Sequence, residues 1–410
     1  MFVNKEIKKI RDNFPILKTK YNNYPLIYFD NASTTQKPKI LIKKLKYYYY
    51  NYNSNIYRSN NNISKKSTFF VEKCRKVIKN FINASSSKEI IFTKGTTESI
   101  NLLSIILKNI FNKNDEIIIS ILEHNSNIIP WQILCKKKKL KLIFLKINNK
   151  YNISIKQLKK NINKKTKLIS LTHISNVFGT VLPIKNIVKI IKNKNKKIII
   201  ILDGAQSIAH IPIDVKDLNI DFFVFSVHKI YGPTGLGILY GKKKILNNLP
   251  PYQYGGSMVN DVLYNKSFFL KTPNRFEAGT INISSIYSFI YIINFINKIN
   301  INNINIYEKK LVNYTKKLFL KNKNIILYGK NNINISSIIS FNIKNINNID
   351  INYFLNKYNI SIRNGYNCSH LLMKYLKING TLRISYGIYN NYEEIEKFYF
   401  FLLKIIKLLN

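Results

Sequence analysis

Short apolar runs recur along the first two thirds of the chain, and each closes on polar residues. The segments EIIFTKGTTESINLLSIIL (89–107), DEIIISILEHNSN (115–127), KLISLTHISNVFGT (167–180), KKIIIILDGAQS (196–207) and DFFVFSVHK (221–229) all follow this rule. Their apolar residues are consecutive rather than alternating, the mark of strands covered on both faces. Helical stretches separate several of them, which predicts an α/β sheet that is largely parallel. In such sheets ligands sit beyond the carboxyl ends of the strands, so the polar residues that close each run are the site candidates.

Residues 5–18 read as a short amphipathic helix ending near Pro15, and PLIYFDNAST (25–34) as a short strand entering a polar turn. After about residue 290 the pattern changes. NKININNINIYEKK (297–310) is nearly low-complexity and reads as a biased helix and loop. A strand (335–343), a helix (350–359), a strand (360–363), a loop holding Cys368, a strand (381–387) and a last helix follow. Asn391 and Glu394 make a capping-box pattern at the start of that helix. The expected organisation is a large α/β domain over 21–289 and a smaller α+β domain built from 1–20 and 290–410.

Composition changes this picture in two ways. The formal net charge of +46 would suit a nucleic-acid or membrane-surface partner. Yet arginine occurs only at 11, 58, 75, 275, 363 and 383, and lysine is spread along the chain rather than gathered in a stripe. Ile, Lys, Asn, Tyr and Phe, all with A/T-rich codons, dominate, so the charge reads as codon bias and no nucleic-acid partner is expected. Against that background, clustered Gly, Arg, His and Pro mark positions whose chemistry is needed. Three cysteines, Cys74, Cys135 and Cys368, are too few for a disulfide framework and point to a reducing compartment. No apolar run has the length of a membrane span, and the N-terminus has no signal-peptide pattern. A soluble, cytoplasmic protein is the expectation.

Two strand ends carry the chemistry. Asp203 closes one run in LDGAQ, and Lys229 closes another in SVHK. A strand-end lysine with a preceding aspartate suits pyridoxal 5'-phosphate: the lysine forms a Schiff base, and the aspartate partners the pyridinium nitrogen so that the ring becomes an electron sink. Ser226 and His228 flank Lys229 as candidate phosphate and pocket donors, and Thr96 and Thr97 open a helix as a phosphate cradle. His124 could stack on the ring, and Asn176 and Gln206 could bond its oxygen. His173 and His210 read as structural. No metal belongs to the expected site.

These residues carry a resemblance. The stretches YFDNASTTQKP (28–38), FTKGTTESINL (92–102), EHNSNIIPWQ (123–132), THISNVFGT (172–180), LDGAQS (202–207), SVHKIYGPTGLGILY (226–240), GGSM (255–258), RFEAGT (275–280), RNGYNCSH (363–370) and LRISYGIYN (382–390) run through nearly the whole chain. Together they resemble a fold-type I pyridoxal-phosphate enzyme of the class V aminotransferase group. Within that group they resemble the cysteine desulfurases of the SUF iron–sulfur assembly system, close kin of selenocysteine lyases.

The resemblance implies that Lys229 is the Schiff-base lysine and that Cys368 is the thiol attacking the substrate's sulfur. L-cysteine would become L-alanine, leaving a persulfide on Cys368. It implies that His124 is catalytic, that Arg383, Arg363, Asn176 and Arg58 bind substrate, and that Thr280 reaches the phosphate of a partner subunit in a homodimer. A small sulfur-acceptor protein and an iron–sulfur scaffold complex are the implied further partners. The chain departs from the family where Tyr57, Asn125, Tyr366 and Asn367 replace histidines, and where Val227 replaces glycine. A selenocysteine lyase or another class V enzyme is the alternative within enzymes. A basic nucleic-acid-binding protein is the alternative outside them.

Overall fold

The computed structural model describes residues 4–332 and 334–409. Seven strands form the main sheet: β1 (Ile90–Thr93), β2 (Glu116–Ser120), β3 (Lys141–Leu145), β4 (Thr166–Thr172), β5 (Ile199–Asp203), β6 (Phe222–Ser226) and β7 (Gly237–Gly241). Their order is β1-β7-β6-β5-β4-β2-β3. All neighbours are parallel except around β7, which runs antiparallel to both β1 and β6. The consecutive apolar runs have the meaning expected of them. Ile90, Phe92, Phe223 and Phe225 enter one core, and their alternates Ile91, Phe222 and Val224 enter the other. Helices α1 (Asn62–Phe81) and α4 (Ile283–Ile299) cover the first face. Helices α2 (Thr96–Ile106) and α3 (Ile129–Lys138) cover the second. A fold-type I arrangement results, with a large sheet between helical layers.

A smaller antiparallel sheet follows, of β8 (Ile325–Leu327), β9 (Ile338–Ile343) and β10 (Leu382–Ser385). It is backed by α5 (Ile301–Phe319) and α6 (Tyr392–Leu409). The capping box forms as expected: the Glu394 N–H donates to Asn391 Oδ1 at 2.9 Å, and the Asn391 N–H to Glu394 Oε2 at 3.2 Å.

Three local expectations are corrected. Pro15 does not end one helix: the α-helix stops at Arg11, and Pro15 opens a 3₁₀ turn, Pro15–Lys18, because proline fits the first helical position. In PLIYFDNAST the pairing is split: Pro25 ends a two-residue strand, Tyr24–Pro25, antiparallel to Lys20–Tyr21, and Ile27–Tyr28 pairs parallel to Ile360–Ser361. The segment 297–310 is helical almost throughout. Asn300, at φ 72°, breaks the chain between α4 and α5, and its side chain accepts from the Asn302 N–H. Asparagine tolerates that left-handed turn and caps the next helix, so the biased composition conceals a helix–helix corner.

Two glycines allow close approach within the main sheet, and one buried ion pair ties down β1. A Cβ on Gly237 would lie 2.4 Å from Gly95 Cα, and one on Gly204 would strike the Phe223 ring at 2.0 Å. Arg75, fully buried on α1, donates from Nη1 to Glu277 Oε1 at 2.8 Å, and the same oxygen accepts the Phe92 N–H at 2.7 Å. Removing Glu277 leaves buried Arg75 with only the half-exposed Glu72, 3.2 Å from its Nε, as a charged partner among the described residues. Glu277→Ala is therefore expected to lose about 3–5 kcal/mol of unfolding free energy, read as a lower urea midpoint. A midpoint equal to wild type would show that water relieves Arg75.

Candidate active site

The strand ends converge on a cavity of about 230 Å³. It is lined by Thr96, Thr97, His124, Asn176, Asp203, Gln206, Ser226, His228, Lys229, Arg363, Cys368 and Arg383, all singled out from the sequence. Arg58 and Thr280 are exposed and do not line it. Within one chain, then, these two are not brought to the other candidates.

Each side chain is positioned by its strand end. The Thr96 N–H, at the start of α2, donates to Ser226 Oγ at 2.8 Å, and the two hydroxyls lie 2.8 Å apart. Thr97 Oγ1 meets Ser126 Oγ at 2.8 Å. This cluster of hydroxyls at a helix N-terminus is suited to a phosphate. Asp203 is 4% exposed; its Oδ1 accepts the Ala205 N–H at 2.9 Å, and burial raises its pKa against the pull of Lys229. Burial pushes the Lys229 ammonium down to about 8; Asp203 opposes that shift and Arg383 adds to it. Lys229 Nζ has no hydrogen bond or ion pair among the described residues, so its amine is uncommitted. The preceding peptide is held hard, because the His228 carbonyl accepts from Thr35 N, Thr35 Oγ1 and Lys37 Nζ at 3.1, 3.0 and 2.9 Å. Lys37 is itself lowered to about 7 by burial.

His124 stays neutral. Burial, then the charges of Lys229, Arg383 and Arg363, lower it to about 3, and its Nδ1 accepts the Ser126 N–H at 3.1 Å. Gln206 Nε2 donates to the Ala32 carbonyl at 2.8 Å. Asn176 is shared with the cysteine loop: Nδ2 donates to the Asn367 carbonyl at 2.7 Å, and Oδ1 accepts from Ser369 Oγ at 3.1 Å. One amide hydrogen remains for a ligand.

The two arginines are neighbours by backbone pairing. The Arg363 N–H donates to the Arg383 carbonyl at 3.0 Å and the Arg383 N–H to the Arg363 carbonyl at 2.7 Å. Arg383, 2% exposed, donates from Nη2 to Asp30 Oδ1 and Ser33 Oγ, both at 2.9 Å, while its Nε has no partner among the described residues. Arg363 Nη1 donates to Ser33 Oγ at 2.7 Å and lies 3.6 Å from Asp30 Oδ2. Sequence reasoning gave Asp30 and Ser33 no role. Their only signal was an aspartate in a chain with 20 acidic against 66 basic residues. Cys74 and Cys135 are buried, as expected, whereas Cys368 is exposed on the cavity wall. His210 is structural: its Nδ1 lies 2.7 Å from Glu308 Oε2.

The donor set fits pyridoxal phosphate: an uncommitted amine, a buried carboxylate, a hydroxyl cluster for phosphate and a neutral imidazole. A profile of the family described as Aminotransferase class-V matches residues 27–398. The chain belongs to the class-V aminotransferases. It is 43% identical over 411 residues to a cysteine desulfurase of Wigglesworthia glossinidia brevipalpis, covering 99% of each chain. Two longer curated relatives are spanned over 57% and 62% of their length. Among solved structures it is similar to the apo cysteine desulfurase of Thermococcus onnurineus NA1, with TM-score 0.93, 34% identity and coverage of 100% of this chain and 99% of that one. It is also similar to a cysteine desulfurase of Escherichia coli, with TM-score 0.91, 27% identity and full coverage of both. Within the class-V aminotransferases it is thus a member of the cysteine desulfurase group, a pyridoxal-phosphate-dependent enzyme. No helix among the described residues is long and apolar enough to cross a membrane.

Proposed function

We propose that this chain converts L-cysteine to L-alanine and holds the released sulfur as a persulfide on Cys368 for iron–sulfur cluster assembly in the cytoplasm. The observation that carries the reading is an exposed thiol on the wall of the cavity that also holds Lys229, Asp203 and Arg383. Thr96, Thr97, Ser226 and His228 would hold the cofactor's phosphate, Asp203 its ring nitrogen, Asn176 and Gln206 its ring oxygen, and His124 its face. When bound, the cofactor supplies the electron sink that makes the substrate's α-proton acidic.

The remaining work falls to the chain's own groups. Arg383 and Arg363 orient the substrate carboxylate, since a guanidinium fork matches its two oxygens. The Lys229 amine accepts the α-proton. The Cys368 thiolate attacks the substrate sulfur: the new S–S bond forms as the C–S bond breaks, and the carbon fragment takes up protons and leaves as L-alanine. A second copy of the chain would bring Thr280, exposed here, to the phosphate, and a small acceptor protein would then take the sulfur.

Intact-mass and peptide spectra of the cofactor-loaded protein after brief exposure to L-cysteine test the reading. One added sulfur on the peptide holding Cys368, absent from Cys368→Ala, is expected. Sulfur on Cys74 or Cys135, or on no peptide, would end it.

A further inference from the structure

The loop that carries Cys368 is held in a conformation it would not choose. Asn367 and Cys368 are consecutive residues with φ of 51° and 53°, the left-handed region that side chains other than glycine disfavour. Something outside the loop must hold it there. On one side, Asn176 grips residues 367 and 369. On the other, the ties come from Asn125, in the turn just after His124. The Asn125 backbone N–H donates to the Cys368 carbonyl at 2.8 Å, and its side-chain Nδ2 lies 2.9 Å from His370 Nδ1. The Tyr366 ring lies flat against the His370 imidazole, with centroids 4.8 Å apart and planes 5° from parallel. That stack joins the two ends of the loop, and the Ser369 N–H donates to the Tyr366 carbonyl at 2.9 Å beneath it.

We propose that Asn125, His370 and Tyr366 form a clasp that fixes the Cys368 thiol over the cavity, Asn125 and His370 acting as positioning residues for sulfur transfer. The proposal rests on the reading that Cys368 receives the sulfur. Three of the four positions at which this chain departs from the family's histidines, Asn125, Tyr366 and Asn367, lie in or beside the clasp. Asn125 and Tyr366 are tied to His370, one of five histidines in the chain. The amide of Asn125 can donate to a neutral imidazole or, turned over, accept from a charged one, so the bond does not depend on the protonation of His370. Asn125 also links two parts of the site, because its neighbours His124 and Ser126 reach the cavity and Thr97.

Alkylation by iodoacetamide reads the thiol directly, since Cys74 and Cys135 are buried. Asn125→Ala and His370→Ala are each expected to change the Cys368 alkylation rate about fivefold, the shift from losing one partly exposed hydrogen bond. The double variant should match His370→Ala, which already removes the Asn125 bond together with the Tyr366 stack. His370→Asn places an amide atom where Nδ1 stood but no ring against Tyr366, and should bring the rate closer to wild type than His370→Ala does. In single-turnover experiments both alanine variants should form persulfide about fivefold more slowly, while the absorbance change on adding L-cysteine stays as in wild type. Unchanged alkylation in both single variants, or additive effects in the double, would overturn the clasp. If these alkylation effects hold but wild type gains no sulfur on Cys368, the clasp stands and the role given to Cys368 falls.

Discussion

Borohydride reduction of the cofactor-loaded protein is expected to fix the cofactor's mass to the one peptide that holds Lys229, and Lys229→Ala is expected to carry none. Cysteine turnover in that variant should fall by at least about 10³-fold, since one group serves both as cofactor anchor and as proton carrier. With sixty lysines in the chain, the result is a sharp one: mass on any other lysine would refute the assignment. The expectation rests on geometry. Among the described residues the amine has no hydrogen bond or ion pair; it lines the cavity with Asp203 and follows a peptide whose carbonyl is pinned by Thr35 and Lys37. It also has a pH signature. Only the neutral amine captures an aldehyde, and burial lowers the Lys229 ammonium to about 8. Cofactor uptake by stripped protein should rise about tenfold per pH unit below about 8 and level off above it. A rise continuing to the ordinary lysine range near 10.5 would mean that burial does not perturb the amine.

Arg383→Ala is expected to raise KM for L-cysteine by about 30- to 100-fold with a much smaller change in kcat, the pattern of a contact made equally in ground and transition states. About 2–3 kcal/mol is the usual scale for a charged hydrogen-bonded contact. Arg383→Lys should restore little, because an ammonium cannot reproduce the fork. Arg363 stays in place through its backbone pairing with residue 383, so the loss reports the Arg383 guanidinium alone. Steady-state kinetics decide it. An unchanged KM with collapsed kcat would make Arg383 a brace for the Asn176 carbonyl, to which Nη1 donates at 2.9 Å.

Much of this site was legible because buried strands announce themselves and deliver their last residues to one edge. Asp203 and Thr172 are register partners at the ends of adjacent strands, and Lys229 closes the 3₁₀ turn that follows the next strand. What the sequence hid was contact between distant segments. Asp30 meets Arg383 across 353 positions, and Asn125 meets His370 across 245. No periodicity encodes either pairing, because each depends on how the small sheet closes over the large one. The left-handed break at Asn300 was hidden for a different reason: in a chain so rich in asparagine, that residue loses its value as punctuation.

The pairing of Arg363 and Arg383 around Asp30 bears on the enzyme between turnovers. Two guanidiniums face one carboxylate, so this corner of the pocket carries excess positive charge, and if the two arginines clamp the substrate carboxylate as proposed, an anion of the medium would compete for the same place. On that proposal, binding L-cysteine would be a displacement of such an anion. The apparent affinity is then expected to depend on the identity of the buffer's anion, even at constant ionic strength.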